Sequence, residues 1–278
     1  MAIRMIKLIL NRIFCIFNFR QLLVHLANKD LKIRYKYSLL GFSWMIFIPL
    51  CMAIIFKIVF SVIVRISTPE YPFFIFLMTG IFPWSYLSNT LFSTTNCLVD
   101  NSNFIKKVYF PREIIPLSIL VNNLISFILM IVVALVFIFL SKVEISKYII
   151  FLPLVIFCQT IFMVGLILIF SSLQVLYRDI KYLVEILLLF WFYLTPVFYS
   201  LTLVKQVSNQ FFNIYMFNPL TCLITLYRIT LIRNYTATLP PDLNVSYVAI
   251  YSSFISFLFF VLGLIVFSKN DRRLSDYV

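Results

Sequence analysis

The run PLSILVNNLISFILMIVVALVFIFL, Pro116–Leu140, carries no charged side chain. An α-helix rises ~1.5 Å per residue and the hydrocarbon core of a bilayer is ~30 Å thick, so a run of this length can cross it. A transmembrane barrel strand would alternate apolar and polar residues. This run is continuous, so it predicts a helical membrane protein. The composition agrees. Hydrophobic residues make up 63% of the chain and charged residues 12%, and the mean hydropathy is +1.03. Soluble domains are roughly half apolar and a quarter charged. With 32 phenylalanines and only 4 glycines, the chain suits long buried helices better than turn-rich sheets.

Just upstream lies NFIKKVYFPREIIPLS, Asn103–Ser118, a compact island of two lysines, an arginine, a glutamate and two prolines. Apolar runs recur on both sides of it. They predict six crossings: about Phe42–Val64, Pro72–Thr95 (with Gly80 and Pro83 able to bend it), Pro116–Leu140, Ile149–Val175, Leu183–Val204 with a break near Pro196, and Val248–Ser268. The expected class is therefore all-α integral membrane, as one domain over 1–278. Within it, 1–41 is an N-terminal interfacial region, 42–268 a six-span core and 269–278 a tail.

Lysine and arginine orient such a chain, because they stay on the cytoplasmic side. Arg4, Lys7, Arg12, Arg20, Lys29, Lys32, Arg34 and Lys36 precede the first span. Lys106, Lys107 and Arg112 lie between the second and third, Arg178 and Lys181 between the fourth and fifth, and Lys269, Arg272 and Arg273 in the tail. Six crossings put all four segments on one side, predicted to be cytoplasmic. The opposite loops hold Arg65, Lys142, Lys147, Lys205, Arg228 and Arg233. Lys57, in the outer half of the first span, snorkels outward or faces a path for an anionic solute. A net charge of +13 would suggest nucleic acid in a soluble protein. Here the placement of the cations assigns them to membrane surfaces, and no nucleic-acid partner is expected.

The N-terminal basic residues interrupt the apolar run and no small-residue cleavage site follows, which argues against a cleaved signal peptide. Arg4, Lys7, Asn11 and Asn18 fall on one helical face, with Ile6, Ile9, Leu10, Ile13 and Phe17 mostly elsewhere. That pattern predicts an amphipathic helix at the cytoplasmic interface, or an electrostatic anchor to anionic lipid. Between the fifth and sixth spans, NPLTCLITLYRITLIR (Asn218–Arg233) begins with an N-cap asparagine and a proline at the first helical position. It reaches Arg228 too soon to cross, so a re-entrant or outer-interface helix is expected.

Several chemistries are absent. No GxxxxGK[ST] loop exists, and Gly41, Gly80, Gly165 and Gly263 are too scattered to cradle a phosphate. Cys15, Cys51, Cys97, Cys158 and Cys222 form no CxxC pair, and His25 is the one histidine, so no metal site is expected. The acidic residues lie almost entirely in loops, leaving the spans without a proton relay or an acid/base pair. The chain reads as a conduit that draws its energy from elsewhere. Its spans offer a modest polar lining: Asn89, Ser93 and Asn96 in the second, and Asn122, Asn123 and Ser126 in the third. Interhelical hydrogen bonds or a pore lining would account for these. Phe190, Trp191, Phe192, Tyr193, Phe198 and Tyr199 load the fifth span with rings. Such rings face lipid, pack helices or offer flat surfaces to a sugar chain.

Several stretches carry a resemblance: KDLKIRYKYSLLGFSWMIFIPL (Lys29–Leu50), YPFFIFLMTGIFPWSYLSNT (Tyr71–Thr90), NSNFIKKVYFPREIIPLS (Asn101–Ser118), LYRDIKYL (Leu176–Leu183), WFYLTPVFY (Trp191–Tyr199) and NPL (Asn218–Leu220). Together, in this order and over essentially the whole chain, they resemble the type-2 ABC permeases that export bacterial surface polysaccharides: the O-antigen, capsule and teichoic-acid exporters. The resemblance implies a homodimer of six-span subunits in the inner membrane, both termini cytoplasmic, with two copies of a separate ATPase that binds the ATP and magnesium. No cofactor is implied for this chain. The implied substrate is a lipid-linked polysaccharide, most resembling the O-antigen branch, moved outward from the cytoplasmic side. A coupling element that docks on the ATPase is implied at Asp100, Asn103, Phe104, Lys106, Lys107 and Arg112, with a second contact at Tyr177, Arg178 and Asp179. Re-entrant gate helices map to about Lys205–Leu231. Asn89, Ser93, Trp191, Tyr193, Phe198, Tyr199, Asn218 and Pro219 are the channel or gate candidates. A capsule or teichoic-acid exporter, a small-molecule efflux permease and a membrane transferase are the alternatives, the last lacking the acidic pair or His–Asp arrangement its chemistry wants.

Overall fold

The computed structural model describes residues 12, 17–35, 43–63, 71–233, 235–240 and 243–277. Among these residues the regular structure is helical, joined by turns and short extended connections, with one isolated bridge between Ile145 and Ile232. The expected amphipathic face built on Arg4, Lys7 and Asn11 lies outside the described residues.

Helix α1 (Arg20–Tyr35) is followed by α2 (Trp44–Phe56), which continues as a π-helical turn over Lys57–Ile63. The central element is α3 (Phe73–Thr95), with 18 of its 23 residues buried. A helix buried all round must satisfy its polar side chains internally. Here Thr79, Thr90, Thr94 and Thr95 turn their hydroxyls back onto the carbonyls of Phe76, Tyr86, Thr90 and Leu91 at 2.6–2.9 Å. Two short helices follow, α4 (Cys97–Asp100) and α5 (Ser102–Lys107), and then α6 (Ile114–Leu140).

Helix α7 (Leu152–Leu176) packs lengthwise on α12 (Val245–Tyr277). Glycines make that approach possible. A Cβ on Gly165 would stand 2.2 Å from the Phe259 carbonyl oxygen, and one on Gly263 would stand 2.4 Å from the Gly165 carbonyl oxygen. Without hydrophobic drive between helices in lipid, such close backbone packing supplies much of the association. Between these helices lie α8 (Ile180–Tyr193), α9 (Leu201–Val207), α10 (Asn209–Phe217) and α11 (Pro219–Leu231).

Three helical stretches among the described residues are long and apolar enough to cross a membrane: Ile114–Leu140, Lys147–Leu176 and Val245–Asp271. They carry the expected third, fourth and sixth spans. The pair α10–α11 would make a fourth, but it is bent by 90°. The expected fifth span is broken around Pro196, as its reading requires. Its helix begins at Ile180, earlier than Leu183, and stops at Tyr193; helix resumes only at Leu201. Pro196 explains the stop, since it lacks an N–H and disfavours helix in the residue before it.

Candidate functional site

The candidate residues fall at two ends of the molecule. At the charged end, α5 ends in Lys106 and Lys107, both exposed, where cations favour the negative pole of a helix. Asn103 is exposed beside them, and Phe104 is half-buried against Phe110, ring centroids 5.1 Å apart. The chain then extends, and Tyr109 stands 99% exposed. Asp100 is exposed and accepts a 2.5 Å hydrogen bond from Asn96 Nδ2. Tyr177, Arg178 and Asp179 form the exposed turn between α7 and α8.

The second half of the island faces inward. Glu113 is buried and pairs with Arg12. Arg12 also donates to Asp271 at 2.6 Å, and Arg112 donates to the Asp271 carbonyl at 3.0 Å. Burial opposes the charge on Arg12, but Glu113 and Asp271 outweigh that, so its guanidinium pKa is raised. These pairs tie the N-terminal region, the island and the end of α12 together. Arg112, expected among the outward contacts, is engaged within the chain.

At the other end, the break after α8 closes around Asn218. Its Oδ1 caps α11 by accepting from the Leu220 backbone N–H at 3.1 Å, with Pro219 at the first helical position. The same oxygen accepts from Trp191 Nε1 at 2.9 Å, and its amide nitrogen donates to Thr195 Oγ1 at 2.9 Å and the Leu194 carbonyl at 3.2 Å. Tyr199 donates to the Tyr193 carbonyl at 2.8 Å, and the Phe198 ring sits 5.8 Å from Phe192 and 5.1 Å from Phe60. The structure thus brings Trp191, Tyr193, Phe198, Tyr199, Asn218 and Pro219 into one cluster. Asn89 and Ser93 lie elsewhere. Asn89 is exposed on α3, and Ser93 Oγ receives a 3.3 Å bond from Asn123 on α6.

Arg228 corrects its reading as an outer-loop cation. It is fully buried. Its guanidinium carbon lies 3.6 Å from the Phe76 ring centroid, and Nη2 donates to the Val197 carbonyl at 2.7 Å. Nε and Nη1 have no hydrogen-bond partner among the described residues. Gly80 makes room, for a Cβ there would be 2.6 Å from the Val197 oxygen and 2.9 Å from Arg228 Nη2. A planar, weakly hydrated guanidinium lies flat on a ring more readily than a compact, strongly hydrated ammonium does.

The family described as ABC-2 type transporter matches residues 21–232, most of the chain. The chain belongs to that family. It is 34% identical over 256 residues to the O-antigen export system permease protein RfbA of Klebsiella pneumoniae, covering 92% of this chain and 94% of that protein. A second Klebsiella pneumoniae protein of the same name is 32% identical over the same span, and RfbA of Myxococcus xanthus is 30% identical over 77% of this chain and 81% of its own length. An ABC-2 permease is a multi-pass membrane transport component that works with an ATPase subunit, and it is not itself an enzyme.

Three features of this ABC-2 chain escaped the sequence reading. Tyr109 follows two lysines and a valine, and nothing local marks its ring as exposed. Arg228 has a sequence signal, being the one cation in an otherwise apolar turn of α11. Gln174, near the end of α7, has none.

Proposed function

We propose that this chain is the permease subunit of an ATP-driven exporter that moves lipid-linked O-antigen polysaccharide from the cytoplasmic to the outer side of the bacterial inner membrane. The observation that carries the reading is the likeness to permeases named for O-antigen export, which extends over 92% of the chain. In this reading the whole chain is one membrane domain of six crossings. α2, α3 and α8 supply the spans that fall short in length or hydropathy, and α10–α11 form a re-entrant pair. The charged end is cytoplasmic, as are both termini.

Two copies assemble around the path. Support comes from α2 and α8, which leave broad apolar faces uncovered: Phe47, Ile48 and Ile55 on one, and Ile186, Leu189, Phe190 and Tyr193 on the other. Only Val184, Leu188 and Phe192 of α8 are buried. The aromatic cluster at the break gates that path and offers ring faces to sugars. Two ATPase subunits hold the ATP and magnesium and dock at the charged end. Asp100, Asn103, Lys106, Lys107 and the turn Tyr177–Asp179 face them, with Tyr109 as an added anchor; Phe104 and Arg112 support the loop from within.

The test is deletion of the gene in its host and complementation with the wild-type chain. Surface O-antigen is expected to vanish, with lipid-linked glycan accumulating inside, and to return on complementation. Unchanged surface O-antigen in the deletion would overturn the reading.

A further inference from the structure

Gln174 joins two loops that are far apart in sequence. It lies in the last turn of α7 and is buried. Its Nε2 donates to Asn96 Oδ1 at 3.1 Å and to the Arg178 carbonyl at 3.0 Å. Its Oε1 accepts from the Lys181 backbone N–H at 2.7 Å. Asn96 sits at the junction of α3 and α4, and its own amide donates to Asp100. A continuous path of hydrogen bonds therefore runs from Asp100 through Asn96 and Gln174 to the first turn of α8.

The start of α8 depends on this bond. The first N–H groups of a helix have no partner within it. Asp179 stands at the N-cap position and makes no side-chain cap. Gln174 supplies the missing acceptor from another helix. The one amide thus caps α8 and also holds the junction that leads into α5.

We propose that Gln174 is a positioning residue that makes the two ATPase-facing loops a single unit, so that displacement of the 96–107 segment moves the start of α8. This rests on the reading of those loops as the ATPase contacts. It adds that the contacts do not act separately: a push on the longer loop reaches the wall of the path through one buried amide.

The experiment uses the permease–ATPase complex in vesicles and reads ATP hydrolysed per glycan exported. Gln174→Met keeps the length and volume of the side chain and removes all three bonds. Complex recovery and ATP hydrolysis are expected to persist, while export per ATP falls about fivefold or more, the low end of an ordinary coupling between sites. Asn96→Ala breaks the same path from its half-buried end and is expected to act in the same direction. In the double variant the loss is expected to be no greater than in Gln174→Met alone, because both remove one linkage.

Normal export per ATP in Gln174→Met would overturn the proposal. So would a proportional fall of hydrolysis and export, failure of both single variants to assemble, or multiplicative losses in the double variant, since each marks a merely structural amide. The reading beneath it fails separately. If Lys106→Ala/Lys107→Ala/Tyr109→Ala leaves ATPase binding and hydrolysis unchanged, the loop is not a docking site, whatever Gln174 does.

Discussion

The two ends of the molecule hold their arginines in opposite ways. At the charged end, Arg12 meets two carboxylates and Arg112 meets Asp271. At the aromatic end, Arg228 is fully buried, with one backbone carbonyl, the rings of Phe76 and Tyr235, and two nitrogens that have no hydrogen-bond partner among the described residues. The first arrangement joins three chain segments through opposite charges at a partly wet surface. The second holds the break after α8 against α3 through a backbone carbonyl and ring faces. A buried pair is strongly destabilised when one member is removed, because the other is left charged and unpaired. A buried cation with unspent donors carries part of that penalty already.

That contrast predicts the largest effect at Glu113. Glu113→Ala should lower stability by about 2–3 kcal/mol, because a buried carboxylate and its charge-assisted bond are lost while Arg12 keeps Asp271, measured as thermal unfolding of the purified permease. Glu113→Gln, which keeps the shape and can still accept from Arg12, should lose less. Next is Gly80→Ala. The added Cβ meets the Val197 carbonyl and Arg228 together, and overpacking of this kind costs about 1–3 kcal/mol. Arg228→Met should be gentler, within about 1.5 kcal/mol, because the unpartnered nitrogens leave with the lost bond and the apolar chain fills the space. If Arg228→Met proves as damaging as Glu113→Ala, the contrast collapses and Arg228 is as firmly held as Arg12. The smallest stability change belongs to Lys106→Ala/Lys107→Ala, within about 0.5 kcal/mol as for exposed surface sites. The same double variant should nevertheless reduce recovery of the ATPase with the permease and make the remainder more salt-sensitive.

Much of this was legible in the chain. The apolar runs announced helices, and Ile114–Leu140 came out almost at its expected bounds. Asn218-Pro219 reads as a helix start, and it is one. Local signals of this kind survive because capping and helix breaking depend on neighbours in sequence. The island was legible as a cluster of charge but not as two halves. Nothing local distinguishes Lys107, which is exposed, from Arg112, whose partner lies far along the chain at Asp271. Arg228 reads locally as an outer-side cation that ends a short apolar run. Its burial required Phe76 and the gap at Gly80, both far from it in sequence.

The sequence by itself determined that this is a helical membrane protein, where its apolar segments lie, and that no phosphate loop is present. These follow from composition and from the period of a helix, which each segment carries within itself. Only the tertiary structure decided which charges turn outward, that Asn218 ties the break after α8 together, and that Gln174 bridges two loops. Each of these depends on a partner at long sequence distance. A polar atom removed from water takes whatever partner the fold brings to it.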